Sequence, residues 1–271
     1  MTLLNHALRA VPSTAPAHAP KRTALVVGGA GALGSAVLEC LLAGRRFARV
    51  KVLATRALTT AMHGLEPVVV ARFDDSFDDP APEVSAAPIA DTAVIVFDRE
   101  RHANGRELAF VRPQPHDLPM LARWLRTHGA TGLIVVLPHT PAGLPDALKR
   151  GLANLDEQAA AALGFEHLVF VRSAHKPGNA RAEQWLQRLA DGMLAQLQMM
   201  VAASSQPVRA SKVAQFVCEL ATRLPASAPG TRVAPPELVW QAAQMRDAAP
   251  LVEAWLARRE LPAISVPRRR M

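Results

Sequence analysis

Apolar runs of strand length recur along this chain at "TALVVG" (23–28), "VKVLAT" (50–55), "PVVVARF" (67–73), "TAVIVF" (92–97), "TGLIVVL" (131–137) and "EHLVFV" (166–171). Among them lie segments whose apolar positions return at helical spacing, 32–43, 117–128 and 145–163. Short, nearly continuous apolar runs suit strands buried on both faces, and strands alternating with helices form a parallel sheet covered on both sides. The pattern therefore predicts a doubly wound α/β fold of Rossmann type, each helix returning the chain through a right-handed crossover. After Arg172 the strand signal fades. Segments 180–201, 210–223, 235–246 and 249–259 read as helices, and "LPASAPGTRVAPP" as a turn-rich interruption with a short strand at "TRV".

This divides the chain into a flexible leader (1–20, with the Pro/Ala/Ser-rich "VPSTAPAHAP"), a dinucleotide-binding core (21–175), a helical extension expected to lie over the cofactor cleft (176–260), and a basic tail (261–271). Half of the 271 residues are apolar, enough to bury a full core. No apolar run approaches the roughly 20 residues that cross a bilayer, and the first residues have too weak an apolar centre for a secretory signal, so a cytoplasmic location without membrane partners is expected. Cys40 and Cys218 fall in separate helical segments and suit reduced, packed thiols; no metal-ligand spacing occurs. The net charge of +8 comes partly from an acid-free stretch, 1–38, and partly from the "PRRRM" end. Neither is interleaved with aromatics, which argues against nucleic acid as a partner.

The informative stretch is "TALVVGGAGALGSAVLECLLAG" (23–44), which packs Gly28, Gly29, Gly31 and Gly34 into seven residues between a strand and a helix. Such a turn aims backbone amides, including those of Ala32 and Leu33, at one spot with the positive end of the helix dipole behind them. That is a cradle for a pyrophosphate. Where the second strand ends, an acid would hold the ribose 2′-hydroxyl of NAD(H); this chain has Thr55 and Arg56 instead, and Arg56 offers a planar fork to the 2′-phosphate of NADP(H). Asp74 and Asp75 in "RFDDSFDDP" stand where a carboxylate could meet the adenine amino group, with a metal site or a solvated acidic turn as the other readings of this loop, and Phe97 ends the fourth strand at the same cleft.

The glycines also read as G-x-x-G-x-x-G (Gly28, Gly31, Gly34), a spacing that resembles the extended and atypical short-chain dehydrogenases/reductases. "FVRPQPHDLPMLARWLRTHGATGLIVVL" (110–137), "LGFEHLVFVR" (163–172) and "VRASKVAQFVCELA" (208–221) are similar to segments of the Tat-interacting-protein-like atypical branch. The resemblance implies a nicotinamide dinucleotide and a Ser-Tyr-Lys proton relay. The chain departs from that relay: it contains no tyrosine, Lys149 and Ala153 stand near the tyrosine and lysine positions, and Pro138 and His139, beside Thr140, fall at the strand-end serines. Arg172 matches the family arginine, but "RSA" stands for its "RPG". Tyrosine-based carbonyl reduction is excluded by composition.

Two functions remain open. One is an NADP-dependent oxidoreductase of a small carbonyl compound with His139, Thr140 or Lys149 as a substitute relay, and His175 and Lys176 near the substrate. The other, favoured by the missing relay, is an NADP(H)-binding sensor or scaffold that signals to a protein partner.

Overall fold

The structure, a computed structural model, describes residues 22–58, 63–70, 88–98, 108–137, 154–172 and 208–262. Seven strands form one sheet: β1 (Thr23–Val27), β2 (Arg49–Ala54), β3 (Leu65–Val69), β4 (Thr92–Val96), β5 (Gly132–Leu137), β6 (His167–Arg172) and β7 (Gly230–Ala234). Every pairing is parallel, in the order β3-β2-β1-β4-β5-β6-β7. This is the Rossmann order with one strand added, and it reverses direction between β1 and β4.

The strands alternate side chains between two cores, as the two-residue period of a pleated strand requires. Ala24, Val26, Val94, Val96, Ile134, Val136, Val169 and Val171 face one helical layer. Leu25, Val27, Ala93, Ile95, Leu133, Val135, Leu168 and Phe170 face the other. The first layer holds α1 (Gly31–Ala43), α4 (Ala210–Arg223), α5 (Pro236–Gln244) and α6 (Ala249–Leu256). The second holds α2 (Leu118–Thr127) and α3 (Leu155–Ala161). Pro67 sits in β3, the edge strand, where a missing N–H costs no ladder bond on the open side.

Of the extension expected at 176–260, residues 208–260 are described, and they pack on one face and one edge of the sheet. Helix α4 packs on α1 through Val213, Phe216, Val217 and Leu220, with α5 and α6 against α4. The chain then adds β7, the strand anticipated at "TRV", beside β6. Helix α3 lies inside the expected 145–163; the rest of that helix, and the helix at 180–201, lie outside the described residues. Cys40 and Cys218, in separate helices as expected, are both free thiols and meet across the α1–α4 contact. Among the described residues no helix is long and apolar enough to cross a membrane.

Candidate functional site

At the switch point, where β1 and β4 diverge, the chain leaves β1 through the glycine turn. Gly28 and Gly31 have φ of 85° and 79°, a left-handed conformation that side chains resist. The N-cap of α1 is Ala30, whose side chain cannot bond the free amides of the first helical turn. One of them is nevertheless satisfied. The Leu33 amide donates to Asp98 Oδ2 at 2.7 Å, reaching across from the end of β4. A Cβ built on Gly31 would stand 2.7 Å from that same oxygen. The amides of Gly31 and Ala32 receive no acceptor from the described residues.

The turn is thus an anion cradle, and the anion in it belongs to the protein. Asp98 takes the position in which a phosphate oxygen would be held, with the α1 dipole favouring its charge. A pyrophosphate fits the backbone here and does not fit beside this carboxylate: two anions at one helix terminus repel.

The adjoining half of the cleft is also covered from within. Leu108–Pro113 crosses the carboxyl end of β2: Phe110 forms an antiparallel bridge with Ala54, the Thr55 amide donates to the Ala109 carbonyl at 2.7 Å, and the Val111 amide donates to the Leu53 carbonyl at 3.0 Å. The Thr55 hydroxyl donates to the Ala109 carbonyl as well, at 3.3 Å. Phe110 lies over Gly29, 3.5 Å from where its Cβ would be, and Pro113 abuts Gly28. Both belong to this crossing segment.

Of the residues selected from sequence, the structure brings Gly28, Gly29, Gly31, Ala32, Leu33, Gly34, Thr55 and Arg56 to the carboxyl ends of β1 and β2. Ala32 and Arg56 are exposed, and Arg56 has no ion-pair partner among the described residues. Phe97 is buried in the sheet, its amide donating to Val136, so only its neighbour Asp98 reaches the turn. His139, Thr140, Lys149, Asp74, Asp75, His175 and Lys176 lie outside the described residues. Arg172 is not open to a ligand in this arrangement: its Nη1 and Nη2 donate to the two carboxylate oxygens of Glu157 at 2.6 and 2.8 Å, with both residues buried. Asp98 and Phe110 were missed. The available signal was a carboxylate directly after an apolar strand that neighbours the glycine strand.

No protein-family model matches the chain, and no curated protein matches it. Solved structures similar to it include UDP-N-acetylglucosamine 4-epimerase from Bacillus cereus, at 14% identity and a TM-score of 0.41, covering 79% of this chain and 75% of that one. The enzyme WbmF of Bordetella bronchiseptica, in complex with NAD+, is 13% identical with a TM-score of 0.43, over 92% of this chain and 82% of its own. A Rossmann-fold NAD(P)-binding family protein from Shigella flexneri is 14% identical with a TM-score of 0.41, over 78% and 90%. Likeness at this level adds nothing on cofactor or chemistry. What stands is the fold itself, a seven-stranded parallel α/β sheet of Rossmann order with a self-filled anion cradle at its switch point.

Proposed function

We propose that this chain is a Rossmann-type, short-chain dehydrogenase/reductase-like protein that binds a nicotinamide dinucleotide, NADP(H) before NAD(H), and uses occupancy as a signal and not for rapid hydride transfer. The observation that carries the reading is the Leu33–Asp98 hydrogen bond at 2.7 Å: the glycine turn grips an anion, and it is an anion a ligand can replace. Ligand and carboxylate compete for one helix terminus, so binding is tied to displacement of Asp98. That coupling suits a sensor. Arg56 at the end of β2, without an ion-pair partner among the described residues, supports the 2′-phosphate preference, and the absence of any tyrosine supports slow chemistry.

Calorimetry with NADPH and NADH tests this. NADPH should bind about ten- to a hundredfold more tightly, the value of one charge-assisted contact, and Arg56→Asp should reverse the order. Asp98→Asn, which removes the competing charge, should tighten NADPH binding by about tenfold or more. Equal affinity of wild type and Asp98→Asn would sink the competition, and no binding by either would sink the cofactor. Single-turnover oxidation of bound NADPH against a carbonyl panel should be slow in wild type; fast oxidation lost in His139→Ala would instead make this a reductase with His139 as proton donor.

A further inference from the structure

A second concave site lies at the opposite, amino end of the strands, far along the sheet from the glycine turn. It is a cavity of about 810 Å³ between the end of α4, the loop that leads into β7, and the end of α6. Its wall carries Arg223, Arg232, Arg258 and Arg259, with Glu253 as the acid and Pro229 among its apolar members. Two of these charges are answered: Arg223 pairs with Glu219, and Arg259 Nη2 with Glu253 at 3.1 Å.

Among the described residues the other two are not. Arg232, on β7, spends Nη2 on the Ala228 carbonyl, while its buried Nε and Nη1 have no hydrogen-bond partner among the described residues. Buried guanidinium nitrogens are ordinarily paired, because their desolvation is otherwise uncompensated. The side chain of Arg258 is held by no acid or carbonyl among the described residues, and it pushes the Arg232 pKa down, as burial does more strongly. Arginines near helix carboxyl ends often serve the dipole. That role is filled here by the backbone: the Arg258 amide donates to Trp255 and the Arg259 amide to Ala254. Arg258 closes α6 at φ 54°, a left-handed position where glycine is the usual occupant.

We propose that this cavity binds a small organic phosphomonoester. Two uncompensated guanidinium charges match the dianion that a phosphomonoester becomes above its second pKa near 6. The volume is that of an organic ligand site, larger than inorganic phosphate needs, and the apolar wall gives the organic part a surface. The site is independent of the glycine turn.

The test is calorimetric titration with phenyl phosphate and with phenyl sulfate, which has the same shape and one charge fewer. Phenyl phosphate should bind saturably with a Kd of about 1 mM or below, and phenyl sulfate at least about tenfold more weakly. Arg232→Met and Arg258→Gly should each weaken phenyl phosphate by at least about tenfold. Arg258→Gly also relieves the left-handed backbone, so its melting temperature should match or exceed that of wild type, which separates lost binding from lost folding. The proposal is overturned by an absence of saturable binding below about 10 mM or by unchanged affinity in either arginine variant.

Discussion

At Gly34 there is no room for a methyl group, because a Cβ built there would lie 2.0 Å from the Gly28 carbonyl oxygen. The reason is close approach, since Gly34 has an ordinary helical backbone. Gly164 is the opposite case: its φ is 70°, and a Cβ would meet nothing within 4 Å. Gly34→Ala should therefore cost about 3 kcal/mol, as overpacking against fixed backbone does, and Gly164→Ala only about 1–2 kcal/mol for the left-handed conformation. Urea unfolding of the two variants checks the contrast. The glycines were legible in sequence because only glycine tolerates such positions, and their spacing follows the turn. Asp98 was not, because one aspartate after a strand looks like any solvated loop acid until β4 is known to lie beside β1. His167 is a further residue whose behaviour depends on placement. It opens β6, is 3% exposed, and burial holds its pKa below the usual 6.5; Glu166 opposes that shift and Arg232 adds to it. The unfolded chain then binds the proton more readily than the folded one. Stability should fall as pH drops from about 6.5 towards the folded-state pKa, and stay level with respect to this group above that window. Urea midpoints across pH 5–8 should show this slope for wild type and a flatter one for His167→Leu.

Among the described elements, α3 is joined to the sheet by a buried ion pair. It is short, starts at Asn154, whose Oδ1 accepts the Glu157 amide at 2.9 Å, and is tied to the end of β6 by the Glu157–Arg172 pair. The apolar periodicity at 145–163 announces a helix, but it contains no information that a carboxylate in its first turn will meet an arginine at the end of the following strand. That pairing is set by the crossover, which brings α3 back over the sheet. Glu157 is 1% exposed, so its removal takes a buried carboxylate away from the buried Arg172 guanidinium. Glu157→Ala should destabilise the protein by about 3–5 kcal/mol, and the further addition of Arg172→Ala should cost much less than Arg172→Ala does alone. A double-mutant cycle measured by chemical denaturation gives the coupling. Helices α1 and α4 show the converse. Their expected spans, 32–43 and 210–223, agree closely with the observed Gly31–Ala43 and Ala210–Arg223 because each carries a broad apolar face, although nothing local says that the two faces meet.

For the whole molecule, strand alternation sufficed to read a parallel sheet, since continuous apolar runs leave few other ways to bury both faces. The position of residues 208–262 was hidden: an amphipathic helix reports that it has a partner, not which one. The parallel order also has a consequence for synthesis. The outer edge of β6 cannot be paired, nor the apolar face of α1 that packs on α4 be covered, until α4 and β7 exist. Growth from Arg172 to Ala234 takes about 3–12 s at ribosomal rates of about 5–20 residues per second. For that interval the nascent chain carries an unpaired strand edge and an uncovered apolar helix face, the two features that recruit chaperones or, where these are scarce, neighbouring nascent chains.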